Sequence, residues 1–209
     1  MIKVISCGIF EPYIKHLHPD KTKYDFTYLE IHQHEYPQRL GRRIQEEINQ
    51  TKGYEKIIIL YGLCGGALLL LEAIDIPIIV VKVHDCMSIL LGSKEKYKKL
   101  TQQNMSLNWS CYSLKKNNIV NNNVLQWEMM YDEDTVEYLK EVFTHQDEIY
   151  ISLNIPEEKE CIQDKNIIEG SLEFLSEILN LRSRDILYVY PNQKIKQVLD
   201  DEVIDIKNS

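Results

Sequence analysis

The chain has 209 residues, 44% of them apolar and 27% charged, which is enough for a sizeable core of ordinary globular composition. A formal net charge of −8, from 32 acidic against 24 basic side chains, excludes a nucleic-acid affinity built on phosphate neutralisation. The opening Met-Ile-Lys-Val-Ile reads as a strand rather than a secretory leader. The most apolar stretch, Ala67 to Val81, is interrupted by Glu72, Asp75 and Pro77, so no membrane span is expected.

In chain order, the apolar pattern predicts a first strand at about 2–6 and a helix ending near His18-Pro19. A second strand follows at about 25–31. Pro37 to Gln50 has the marks of a helix: proline in its first turn, and Leu40, Ile44 and Ile48 recurring every four residues. A third strand at about 56–61 is a near-continuous apolar run of the kind buried on both faces. A short apolar helix over about 66–73, a fourth strand at 77–83 and a helical turn from Cys86 to Leu91 complete the first hundred residues. Between about 101 and 124 the composition turns to Gln, Asn, Ser and Lys, which predicts a long loop. Beyond it come a helix at 133–144, a strand at 148–153, a helix at 167–180 and a strand at 186–190. A short helix at 193–199 and an edge strand at 203–206 end the series.

Strands alternating with helices at this spacing predict an α/β fold with right-handed crossovers. The expected architecture is a single three-layer, Rossmann/flavodoxin-like domain over 1–209 with a mostly parallel sheet. Residues 1–100 form its site-bearing half, 101–124 a loop excursion, and 125–209 the completing half.

The chemistry concentrates where strands end. Cys7 closes the first strand, the His32/His34 pair follows the second, Cys64 lies in Gly62-Leu63-Cys64-Gly65-Gly66 after the third, and His84-Asp85-Cys86 follows the fourth. In the strand order 2-1-3-4 the carboxyl ends of strands one, three and four are neighbours, and ligands bind at that edge. Soft thiolates select zinc, copper(I) or iron–sulfur clusters over hard cations. Cys7, Cys64 and Cys86 are therefore candidate ligands of a zinc ion or an iron–sulfur cluster, with His84 or His34 as a fourth ligand or as a group that supports the ligands from behind. Three thiolates alone leave one coordination position open for substrate.

Two other readings stand beside this one. In a metal-free thiol enzyme, Cys64 is the nucleophile, His84 its base and Asp85 the orienting group. In the other, the cysteines are small buried hydrophobes. Asp85 also suits a helix cap. Gly62, Gly65 and Gly66 suit an anion-binding turn around a cofactor. Trp109 and Tyr112, in the polar stretch, either cover the site or anchor the loop. Five cysteines, an odd number and widely spaced, point to reduced thiols in the cytoplasm.

Leu60-Tyr61-Gly62-Leu63-Cys64-Gly65, then Lys82-Val83-His84-Asp85-Cys86 and Ile89-Leu90-Leu91-Gly92-Ser93-Lys94-Glu95-Lys96-Tyr97, resembles the signature of the family called domain of unknown function 1638. Cys7 after Val4-Ile5 is similar to the family's amino-terminal cysteine, and His34, Pro37, Leu40 and Gln45 to its His-x-x-Pro-x-x-Leu segment. The likeness covers about residues 2–100. It departs at Gly66-Ala67, at Val81 and around Asn108-Trp109. The resemblance implies an α/β fold and a cytoplasmic protein that accompanies corrinoid-dependent methyl transfer. It implies no particular activity.

The function expected is that of a cytoplasmic metalloprotein, in one-carbon or corrinoid-linked metabolism. Its partner is a small-molecule substrate or a corrinoid methyl-transfer protein, and neither nucleic acid nor a membrane. A non-catalytic protein that delivers metal to a partner fits the same residues.

Overall fold

The computed structural model describes residues 1–31, 33, 36–103, 108–117, 127–128, 130–144, 148–161 and 166–208. It has the α/β fold expected, with a mostly parallel five-stranded sheet and a second, parallel three-stranded one. The chain divides into two compact units, Met1–Gly92 with Ser171–Ser209, and Ser93–Gly170.

The first unit holds the five-stranded sheet. Its strands are β1 (Ile2–Cys7), β2 (Tyr24–Leu29), β3 (Lys56–Leu60), β4 (Ile78–Val81) and a last strand Ile186–Val189, in the order β2-β1-β3-β4 and then Ile186–Val189. The first four are parallel, while Ile186–Val189 runs antiparallel to β4. The central strands are near-continuous aliphatic runs: Ile57, Ile58, Ile59 and Leu60 are all fully buried, as expected where both faces are covered.

Helices cover the two faces. Glu11–Leu17, Cys86–Leu91 and Leu172–Leu179 pack together, and so do Pro37–Gln50, Cys64–Leu70 and Ile195–Asn208. The helix Pro37–Gln50 forms as its sequence predicts, with Leu40, Ile44 and Ile48 on the buried stripe. Because β2 and β3 lie on opposite sides of β1, the chain reverses winding between β1 and β3. Such a switch point opens a crevice at the carboxyl ends of the strands. Cys7 ends one of these two strands and Cys64 follows the other.

The second unit holds three parallel strands in the order β5 (Asn108–Cys111), β6 (Glu148–Ser152), β7 (Ile167–Glu169), which makes Ile186–Val189 β8 of the chain. Trp109 of β5 stacks on Tyr97 of the helix Lys94–Gln103, with ring centroids 5.8 Å apart. Both residues of this stack lie in the second unit. A buried carboxylate knots this unit together. Glu158, 1% exposed, accepts from the Ser152 hydroxyl at 2.6 Å and from the Leu153 and Asn154 amides at 3.1 and 3.0 Å. Removing it strands buried donors, so Glu158→Ala is expected to cost roughly 3 kcal/mol in chemical denaturation. Glu158→Gln, which keeps one acceptor oxygen, costs less.

Four stretches differ from the sequence reading. The loop expected at 101–124 contains the end of the helix Lys94–Gln103, then β5 and the helix Tyr112–Lys116; residues 104–107 and 118–124 of it lie outside those described. The strand is hidden in the sequence because it is short and half polar, although Ser110 and Cys111 are buried. The helix expected at 167–180 starts late. Residues Ile167–Glu169 pair with β6, and Ser171 then caps the helix Leu172–Leu179 by accepting from the Phe174 amide at 3.1 Å. The short helix and edge strand expected after 193 are one helix, Ile195–Asn208, since Ile195, Leu199, Val203 and Ile206 recur at helical spacing. The apolar helix expected at 66–73 is a 3₁₀ segment, Cys64–Leu70, broken by left-handed residues at its start.

Candidate metal centre

Two turns leave the sheet side by side and carry the thiols. The Leu63 amide donates to the Val83 carbonyl at 3.0 Å, and the Cys64 amide to the His84 carbonyl at 3.2 Å, so the turn after β3 is zipped to the turn after β4. Gly62 makes this approach possible: a Cβ there would lie 2.4 Å from the Asp85 Cα and 2.6 Å from its nitrogen. Only glycine fits. Beyond it the chain runs left-handed through Cys64 (φ 43), Gly65 (φ 66) and Gly66 (φ 87). Such a conformation at a residue with a side chain is uncommon and costs backbone energy. Here it accompanies a buried cysteine facing the neighbouring turn.

The sulfurs of Cys64 and Cys86 are 3.9 Å apart. Cys7 reaches the same place from β1 and is within hydrogen-bonding reach of the Cys86 thiol. Cys7 is 4% and Cys64 9% exposed, while Cys86 shows part of its surface to solvent. The Gly62 amide is aimed at the sulfurs of both Cys64 and Cys86 and favours their thiolate forms.

Electrostatics in the cluster oppose ionisation all the same. The hydrogen bond to Cys86, and then burial, push the Cys64 thiol far above its ordinary range. At Cys86 the Cys64 contact pulls downward, but the Cys7 contact and burial outweigh it and leave this thiol well above its ordinary range. Cys64 and Cys86 are thus neutral thiols at neutral pH. A buried nucleophile needs the reverse.

His84 does not stand as a base to Cys64. Its side chain is 75% exposed, and Nδ1 lies 3.1 Å from the Asp85 carboxylate. Asp85 is a helix cap that also faces His84. Its Oδ1 caps the helix Cys86–Leu91 by accepting from the Ser88 amide at 3.0 Å, and Oδ2 faces His84. His32 and His34 lie outside the described residues. The glycines shape the turn rather than line a cradle of open amides: the Gly62 amide faces sulfur and the Gly66 amide donates to the Leu63 carbonyl at 2.9 Å. Cys111, buried in β5, and Cys161 belong to the other unit. Among the described residues, no group of three or more His, Cys, Asp and Glu side chains is placed to hold a metal ion. No helix among them is long and apolar enough to cross a membrane.

The sequence reading missed Tyr61. The pairing of Ser6 with Leu60 carries Tyr61 level with Cys7, one step further along both chains. Its side chain, 1% exposed, faces all three thiols. A tyrosine closing an aliphatic strand was a visible signal, since a buried phenol calls for a partner.

A model for the family described as "Protein of unknown function (DUF1638)" matches residues 28–181. The match includes Cys64, His84 and Cys86, and starts after Cys7. No curated protein and no solved structure matches the chain.

Proposed function

The chain belongs to the DUF1638 family, and we propose that it is a metalloprotein in which Cys7, Cys64 and Cys86 hold one thiophilic metal ion, zinc in the first instance. The observation that carries this reading is the Cys64–Cys86 sulfur separation of 3.9 Å. Metal–sulfur bonds of about 2.3 Å in a tetrahedron place two sulfurs about 3.8 Å apart, so the pair needs almost no movement to ligate one ion. Cysteines of a four-iron cluster bind different irons and stand farther apart, which favours the single ion over that cluster.

The protonated state of the thiols fits the same reading. A divalent cation replaces the thiol protons and supplies the positive charge that a packed set of sulfurs lacks. The Gly62 amide, directed at two of the sulfurs, adds a donor that thiolates accept and thiols barely use. Three protein thiolates would leave a fourth position open, at which a bound metal ion would polarise a small-molecule substrate. The link to one-carbon or corrinoid-linked metabolism rests on family resemblance alone. A metal-free nucleophile is the weaker reading, since its base is exposed and its thiol pushed up.

Titration of the reduced, metal-free protein with cobalt(II) under anaerobic conditions tests the proposal. One equivalent taken up, with intense sulfur-to-metal absorption and release of about three protons, is expected. Absence of that absorption at saturating cobalt contradicts it.

A further inference from the structure

The Tyr61 hydroxyl is an oddity that the three thiols alone do not account for. It is wholly buried, and among the described residues it has no hydrogen-bond partner of acceptable geometry. Around it stand Cys7, Cys86 and Cys64, with the Cys7 thiol within reach of the phenol oxygen. A neutral thiol is a poor acceptor. A buried hydroxyl left without a good partner costs about 1–3 kcal/mol, and phenylalanine would fill the same space without that cost.

We infer that Tyr61 is a hydrogen-bond donor held ready for the metal-loaded state, in which its O–H is given to the Cys7 thiolate. The inference rests on the metal reading above. When the ion binds, the Cys7 S–H bond breaks, its proton leaves to solvent, and the sulfur's freed electron pair forms the metal–sulfur bond. Tyr61 keeps its own proton and gains the acceptor that it lacked. A charge-assisted O–H···S bond then fixes the Cys7 rotamer, stabilises the thiolate and draws electron density from sulfur. A metal ion held there would be the stronger Lewis acid for it. Tyr61 is in this sense a positioning residue: it acts on the metal through Cys7.

The experiment is Tyr61→Phe, with cobalt(II) as the probe against a competing chelator, and the metal-free proteins unfolded in parallel. Cobalt affinity is expected to fall about 10–100-fold, and the sulfur-to-cobalt absorption to move to longer wavelength as the sulfur becomes a better donor. The metal-free variant is expected to be as stable as the parent chain or more so, because the stranded hydroxyl is gone. A tyrosine that only fills the core gives the opposite pattern, with lower metal-free stability and unmoved cobalt binding. An affinity within twofold of the parent and an unshifted band overturn the inference and leave the metal reading intact, and so does a variant that no longer folds without metal. If the parent chain itself takes up no cobalt, the metal reading fails and the inference falls with it.

Discussion

Cys86→Ser is expected to lower the affinity for zinc or cobalt(II) by roughly a thousandfold, well beyond the 10–100-fold that follows loss of an outer-shell partner. Serine is nearly isosteric, but its oxygen is hard and keeps its proton, so a soft ligand is lost without a large change in shape. Cys86 is the position to change because the residue keeps part of its surface exposed although its sulfur is buried, whereas Cys7 and Cys64 are buried throughout and their replacement perturbs packing more. Metal-free stability should fall by less than about 1 kcal/mol. Cys161→Ser, in the other unit, is the control and should leave metal uptake unchanged. Competition titration against a chromophoric chelator measures both. Equal affinity in Cys86→Ser and the parent would remove this residue from the ligand set.

Gly62→Ala carries the second large expectation. A methyl group there would sit 2.4–2.6 Å from the backbone of Asp85, closer than packed atoms come, and backbone cannot swing aside as a flexible side chain does. The turn after β4 must move. With it go the Cys64 amide bond to the His84 carbonyl and the place of Cys86 beside Cys64. The expected cost is about 3 kcal/mol in chemical denaturation, at the upper end for overpacking, together with loss of tight metal binding. Gly66→Ala separates the two effects. Its Cβ meets only Leu69 Cδ1 at 3.6 Å, so it pays mainly for the positive φ of 87°, about 1 kcal/mol, and should still bind metal. Equal behaviour of the two variants would mean that close approach at Gly62 is not what sets the thiols.

The first hundred residues were legible because period and length agree there. Lys56–Leu60 is short, aliphatic and bounded by turn residues, which leaves little but a buried strand, and Pro37–Gln50 shows its start and its stripe in plain sequence. From such strands the parallel order follows, and from the order the meeting of Cys7, Cys64 and Cys86. Residues 108–116 were misread for the opposite reason. A four-residue strand that buries serine and cysteine carries no hydrophobic period, and the Tyr97–Trp109 stack that holds it is a long-range contact. Ile167–Glu169 was absorbed into a helix because its apolar residues continue those of Leu172–Leu179. Only the Gly170-Ser171 cap marks the break.

The site divides along the same line. Which cysteines converge is a matter of strand ends, and sequence reaches that. Side-chain direction is not: His84 was expected at the thiols and faces solvent and Asp85, because the chain on either side of it is committed to pairing with Cys64 and to capping a helix. Tyr61 was passed over because it reads as one more residue of an apolar strand until the register with β1 sets it beside Cys7.

The most direct measurement of the central claim is the metal content of the protein purified anaerobically, reduced and without chelators. Elemental analysis should find close to one equivalent of a thiophilic metal per chain, zinc in the first instance, and no sulfide. Less than about a tenth of an equivalent of any transition metal, in protein that also fails to take up added zinc or cobalt, would contradict the account.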